Sequence, residues 1–364
     1  MAFCLLFLAG CSWSPPPEFK LNTEGRDPRS IKESQRMSIG RMMGKLFGTP
    51  DKAVVPEGVG LDKELLAIAA GPVGSDENDR PRGLFRKHCV ACHGISGDGA
   101  GPNAAALSPY PRDYRPGVFK YTSTAGGGKP AREDLLRTLR SGIPGTAMPS
   151  FGKLPSRQLE SLAEYVKYLS LRGETELYLL GQVVDEDETL DPAKLDDLVE
   201  EGVTPIAKAW DAAAELRVNP PPPPPTDTPE RRAASLARGR EIFLSTGAQC
   251  FKCHGPLGRG DGSPSALYDD WNKKKRGATP EQTRQLAAYF SLPLVEIRPR
   301  NFTEGIFHGG DRPVDQYYRV SVGIKGTPMP PAGPSPGSKG ILAPEDIWHV
   351  VNFVRSLGNL PSAK

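Results

Sequence analysis

The sequence predicts a mainly α-helical protein of two tandem units joined by an acidic, proline-rich linker. Three observations predict it. Two cysteines and a histidine fall within five residues at Cys89–His93, in "CVACHGISGDGAG", and again at Cys250–His254, in "CFKCHGPLGRGDG". Further landmarks recur after each motif in the same order. The charge also changes sign between the copies: residues 76–172 sum to +6, 173–229 to −11 and 230–364 to +7. A chain of 364 residues is long enough for two modest domains.

The repeat extends well beyond the cysteines. Pro111-Arg112-Asp113-Tyr114 with Gly117-Val118-Phe119 returns as Pro299-Arg300-Asn301-Phe302 with Gly305-Ile306-Phe307. Gly145-Thr146-Ala147-Met148-Pro149 returns as Gly326-Thr327-Pro328-Met329-Pro330. The closing segments place Leu159, Leu162, Tyr165, Val166 and Leu169 opposite Ile347, Val350, Phe353, Val354 and Leu357, at the spacing of one helix face. Four ordered landmarks in common indicate a duplicated domain. The second copy is 27 residues longer between its C-x-x-C-H and Pro-Arg, which places an insertion near "YDDWNKKKRGATPEQTRQLAAYFSLP", with a helix expected at 280–291.

The rest of the chain divides around these units. Residues 1–10 read as an export signal and 11–75 as an N-terminal tether; 76–172 is the first unit, 173–229 the linker and 230–364 the second unit. Ala2 to Gly10 is uncharged but too short to span a bilayer, which takes about 20 apolar residues. Leu8-Ala9-Gly10-Cys11 is similar to a bacterial lipobox, which implies lipidation of Cys11 and a membrane surface, although no basic residue precedes it. The alternative is an ordinary secretory signal with a chance cysteine. Helices are expected within 31–47, at 62–70 before Gly71-Pro72, and at 205–217. Pro220–Pro225 is expected to form a polyproline rod that spaces rather than packs. The basic units favour acidic protein partners; with no aromatic-interleaved basic run, nucleic acid is not expected.

C-x-x-C places two thiols one helical turn apart, on one face, where they can form thioethers to the two vinyl groups of haem. The following histidine then offers a ring nitrogen to the iron. Cys89 and Cys92 with His93, and Cys250 and Cys253 with His254, are thus expected to hold two covalently bound haems c. A zinc site joining the cysteine pairs would leave each histidine unexplained. A redox dithiol needs no histidine and expects a βαβ context that is absent here. Of six cysteines, only Cys4 and Cys11 lie outside the motifs, so no disulfide framework remains. Beyond Met1 and the tether's three methionines, only Met148 and Met329 remain, one in each matching turn. They are the expected sixth ligands, against the alternative of gap-filling core residues.

These features together resemble the class I cytochromes c. The resemblance covers about 76–172 and 230–361 and rests on C-x-x-C-H, the Gly-Thr-x-Met-Pro turn, Phe85 and Phe243 before the cysteines, and the closing helices. It implies that Phe85 packs on Tyr165 and Phe243 on Phe353. Pro81 departs from the pattern and should shorten the first helix of the first unit. The Gly-Asp-Gly and Pro-Arg-[Asp/Asn]-aromatic pattern also resembles haem subunits that feed terminal oxidases or belong to alternative complex III. Arg112 and Arg300 are candidate partners for haem propionates, against solvated loop arginines. Asp98 and Asp261 read as turn residues, with calcium binding as the alternative. Trp348 and His349 read as packing residues.

The expected function is an exported dihaem cytochrome on the bacterial periplasmic side, a lipoprotein anchored to the membrane through Cys11. It would relay single electrons in a respiratory chain rather than act as an enzyme. Expected partners are an upstream dehydrogenase or quinol-oxidising complex and a downstream oxidase. The alternatives are a dihaem peroxidase or thiosulfate-type dehydrogenase, or a fixed haem subunit of a larger complex.

Overall fold

The computed structural model describes residues 15–359 apart from 24–25, 187–189, 192, 264, 269–278, 280, 282–291 and 294. The signal and lipobox, and all but Glu281 of the helix expected at 280–291, lie outside the described residues. Among the described residues no helix is long and apolar enough to cross a membrane.

In the first unit and its flanks, helices α1 (Glu33–Phe47), α2 (Lys63–Ala69), α3 (Leu84–His88), α4 (Val90–His93), α5 (Arg132–Ser141) and α6 (Ser156–Leu180) follow one another. Connector helices α7 (Leu195–Leu198) and α8 (Thr204–Asp211) come next. The second unit holds α9 (Pro229–Phe243), α10 (Phe251–His254), α11 (Pro313–Val322) and α12 (Pro344–Leu357). Strand is confined to two short antiparallel pairs, β1 (Gly74–Ser75) with β2 (Pro81–Arg82), and β3 (Leu267–Tyr268) with β4 (Glu296–Ile297). The second pair pins the two ends of the insertion together.

The first helices of the two units differ in length for a local reason. Thr228 caps α9 by accepting from Arg231 N–H, Pro229 occupies the first turn, and the helix runs 15 residues. In the first unit Pro81 sits in β2 and Gly83 takes a left-handed conformation (φ 70°), so α3 starts late and has five residues. Phe85 still reaches Tyr165, with ring centroids 4.9 Å apart, as Phe243 reaches Phe353 at 5.4 Å. Helix α2, capped by Asp62 through Glu64 and Leu65 N–H, packs against α6 beside the shortened α3. The closing helices bury the predicted stripe in both units; Leu357 alone is half-buried.

The flanking segments are packed. Helix α6 runs past the end of the repeat, and Leu179, Leu180, Val183, Val203, Ala207 and Trp210 continue the first unit's core. The tether docks on it. Asn22 N–H donates to Glu176 Oε2 at 2.8 Å, its Nδ2 donates to the Gly173 carbonyl, and Arg172 lies 4.2 Å over the Phe19 ring. Arg172 and Glu176 form a buried ion pair at 3.0 Å. After α8 the connector pairs with the first unit, Val218 N–H donating to the Ser123 carbonyl and Ala125 N–H to the Leu216 carbonyl. The polyproline run corrects the sequence expectation, because it packs. Trp348 Nε1 donates to the Pro221 carbonyl at 2.8 Å, and Pro220–Pro223 lie against Trp348, Pro313 and Val314. Prolines donate no N–H, but each keeps a carbonyl acceptor and an apolar ring, which suits an indole face.

Candidate functional site

Both C-x-x-C-H motifs sit on one-turn helices, α4 and α10, so each cysteine pair shares a face. His93 Nδ1 donates to the Arg112 carbonyl at 3.0 Å, and His254 Nδ1 donates to the Arg300 carbonyl at 3.2 Å. This fixes the tautomer and leaves Nε2 with its lone pair as the ligating atom. Burial pushes the His93 imidazolium down to about 4 and lowers His254 as well, keeping both rings neutral. The same cause pushes the Cys89 thiol up to about 12 and the Cys250 thiol up to about 11.

The repeated Pro-Arg-[Asp/Asn]-aromatic landmark explains itself here. Its arginine supplies the histidine-orienting carbonyl through the backbone. Its next residue closes a turn by accepting an N–H two residues on, Asp113 from Arg115 at 2.9 Å and Asn301 from Thr303 at 3.1 Å. Its aromatic stacks on the histidine: Tyr114 on His93 at 4.7 Å and 20°, Phe302 on His254 at 4.4 Å and 25°. Phe119 and Phe307 complete a three-ring column in each unit, at 5.9 and 6.0 Å. The sequence comparison held this signal, since all four rings recur at matched offsets, but their task needed coordinates.

The loops after the two histidines fold alike too, although their Gly-Asp-Gly triplets are offset by two residues. Gly99 N–H donates to the His93 carbonyl and Gly260 N–H to the His254 carbonyl. A Cβ on Gly94 would fall 2.1 Å from Asp98 Oδ1, and one on Gly255 would fall 1.9 Å from Asp261 Oδ1. The aspartates thus fold back over the glycine that follows the histidine. Among the described residues no cluster of three or more His, Cys, Asp or Glu forms a metal site, and Asp98 instead lies 3.4 Å from Lys20 Nζ.

The methionine turns are built identically. Ile143 N–H donates to the Met148 carbonyl at 3.0 Å, and Ile324 N–H to the Met329 carbonyl at 3.1 Å. The threonine hydroxyl closes each loop: Thr146 Oγ1 donates to the Ile143 carbonyl and accepts from Met148 N–H, as Thr327 does with Ile324 and Met329. In the first unit one mainly apolar cavity is lined by Cys89, Cys92, His93, Arg112 and Met148, with Tyr121 at its edge. That donor set, two thiols with an imidazole and a thioether around an apolar slot, fits a haem c. In the second unit the backbone hydrogen bonds repeat around Cys250, Cys253, His254 and Met329. Arg300 there gives its Nη2 to Glu304 at 2.5 Å and shares its Nη1 with His308 Nε2 at 3.0 Å. Trp348 is core, 4.6 Å from Tyr317, and His349 Nδ1 bonds Ser235 Oγ at 2.8 Å.

The fold and these sites define a class, that of small helical domains that carry haem c by thioethers. A family model described as cytochrome c oxidase, cbb3-type, subunit III matches residues 76–166, and one described as cytochrome c matches 236–358. The chain contains two cytochrome c domains in tandem, and such domains imply covalently bound haem c and haem-based electron transfer. It is also similar to a chain in the solved structure of a reducing HAO-like protein complex from Kuenenia stuttgartiensis. The two are 26% identical, the match covers 79% of this chain and 98% of that one, and the TM-score is 0.51. No curated protein matches the chain.

Proposed function

We propose that this protein is an exported dihaem cytochrome c that relays single electrons in a respiratory chain, with no substrate bound at either iron. The observation that carries this reading is the pair of identically hydrogen-bonded methionine turns, the first lining the same cavity as His93. Haem c supplies a one-electron iron couple, and His/Met ligation raises its potential. The chain's part is to hold neutral His93 and His254 by the Arg112 and Arg300 carbonyls, and to present Met148 and Met329 from threonine-locked turns. Export and a lipid anchor at Cys11 belong to the same proposal, as do acidic redox partners.

The test is spectroscopic. Denatured protein should retain two haems, and the oxidised native protein should be low-spin with a methionine–iron charge-transfer band in the near infrared. Met148→Ala and Met329→Ala should each remove about half of that band, since each removes one of two matched ligands. A wild-type spectrum already high-spin at one centre would replace this reading with the peroxidase or dehydrogenase one. A second reading, a fixed haem subunit of a larger assembly, is favoured by the similarity to a chain of the HAO-like complex along 98% of that chain. Isolation of the native protein under mild conditions separates the two: a free carrier elutes at the mass of one chain or a small oligomer, a fixed subunit with its assembly.

A further inference from the structure

The second unit carries a buried cation with no carboxylate hydrogen-bonded to it among the described residues. Arg319 on α11 donates from Nη2 to the Gly310 carbonyl, but its Nε and Nη1 are buried with no hydrogen-bond partner among the described residues. One turn earlier, Gln316 has both amide atoms buried and equally unpartnered. Buried donors are normally satisfied, and a buried guanidinium with free donors is expensive to keep.

The internal repeat says where these side chains face. Counted back from Gly142 and Gly323, the glycines that end α5 and α11, Gln316 and Arg319 stand where Leu135 and Thr138 stand in the first unit. Leu135 and Thr138 line the first unit's cavity beside His93 and Met148. In the second unit, therefore, an amide and a guanidinium stand at the positions where an apolar side chain and a short hydroxyl line the first unit's cavity.

Among the described residues no carboxylate hydrogen-bonds them, although Asp315 and Asp311 lie near enough to act on Arg319. Asp315 accepts from Arg312 Nε and Nη2 at 2.9 and 2.7 Å and lies 3.5 Å from Arg137 Nε of the first unit. Asp311, also nearby, is exposed and accepts Arg355 through its backbone carbonyl. From the first unit the Tyr121 ring faces the guanidinium, 5.8 Å from ring centroid to Cζ. The charges around Arg319 are thus Asp315, Asp311, Arg137 and His308, with Tyr121 as the titratable ring. Burial pushes Arg319 down to about 10, the expected direction for a cation short of counter-charge. Arg300, the residue that sequence proposes as anion partner, gives Nη2 to Glu304 and shares Nη1 with His308, which leaves only its buried Nε open against two open donors on Arg319.

We infer that Arg319, with Gln316 beside it, receives a propionate carboxylate of the second unit's haem at the seam between the units, an assignment that rests on the dihaem reading above. Arg319 is a positioning residue: it gives the carboxylate one of its open donors, Nε or Nη1, and holds it ionised. The planar guanidinium, anchored on the Gly310 carbonyl through Nη2, fixes the direction of that donor, which lysine's flexible ammonium does not.

The test uses the full-length protein with both haems, titrated potentiometrically at several pH values between about 5 and 8, above the ordinary carboxylate range. Wild type should show two potentials that vary little with pH. Arg319→Gln should lower one of them, shifting that centre's reduction equilibrium about tenfold, the order set by losing a charge-assisted hydrogen bond. That potential should also fall further as pH rises, because the uncompensated carboxylate now ionises in this range and stabilises ferric iron. Arg319→Lys should recover part of the shift. If Arg319→Gln does not fold, Gln316→Leu, which restores the first unit's apolar residue, should shift the same centre in the same direction by less. Two unchanged potentials in Arg319→Gln, or in both Arg319→Lys and Gln316→Leu, would overturn the assignment. So would a pH-dependent shift produced by Arg300→Gln and not by Arg319→Gln. A wild-type potential that moves with added acetate would overturn it by showing that the anion comes from solution. Failure of the dihaem reading itself would show earlier, as denatured wild type holding fewer than two haems.

Discussion

Truncating Trp210 tests whether the connector belongs to the first unit's core or only hangs from it. Trp210, on α8, is 6% exposed and meets Phe119 edge-on at 5.9 Å and 77°. Phe119 stacks on Tyr114, which stacks on His93, so the connector braces the ring column behind the first haem ligand. Replacing a buried Trp by Ala costs about 3–5 kcal/mol through lost transfer energy and a residual cavity. Of that, the edge-on ring pair accounts for about 0.5–1.5 kcal/mol. The lower half of the range is expected here, because α8 is a peripheral helix that can settle into part of the void. Urea unfolding of Trp210→Ala, set beside wild type at low and high salt, measures it. The expected result is a loss of about 3 kcal/mol at either salt, since apolar contacts do not weaken as exposed charge pairs do over a Debye length of about 8 Å. A loss below about 1 kcal/mol, or a connector that becomes protease-sensitive in wild type as salt rises, would refute the packing argument and restore the picture of an acidic spacer.

Gly255→Ala should fold poorly or lose at least about 1–3 kcal/mol, because φ is +75° there and the new Cβ would strike Asp261; thermal unfolding of the Gly255→Ala and Asp261→Ala pair measures the clash. The seam should weaken with acid. His308 is pushed down to about 4 by burial and then by Arg300, Lys120 and Arg319, so its folded-state value lies below the ordinary 6.5. Its contribution is complete above about 6.5 and is lost as pH falls toward 4, where the unfolded form binds the proton first. Proteolysis at the seam should therefore rise across that window in wild type and less in His308→Gln. Thr146→Val and Thr327→Val each remove the hydroxyl that closes a methionine turn, and each should cost about 0.5–1.5 kcal/mol and weaken one near-infrared band component.

Much of this molecule was legible in one dimension because it is written twice. Two copies of C-x-x-C-H, of the Pro-Arg-aromatic landmark and of Gly-Thr-x-Met-Pro locate the ligand candidates, the 3.6-residue stripe marks the buried face of the closing helices, and the resemblance to class I cytochromes c implies the aromatic pairs Phe85–Tyr165 and Phe243–Phe353. Pro81 alone foretells the shortened α3, since a ring-locked φ and a missing N–H act locally. What the repeat could not reveal is whatever the copies do not share. Charge and proline content mark 173–229 as a spacer, yet its sparse apolar residues dock because α6 continues through the boundary and carries them onto the first unit's core. Side-chain type suggests Arg300 as the anion partner; the fold gives both of its terminal nitrogens to Glu304 and His308 and leaves only Nε open, whereas Arg319 keeps two buried open donors. Local sequence determines backbone geometry and periodic faces, because those depend on neighbours along the chain. Which buried charge lacks a partner depends on residues more than a hundred positions apart, such as Arg137 beside Asp315 and Tyr121 beneath Arg319, and only the tertiary structure brings them together.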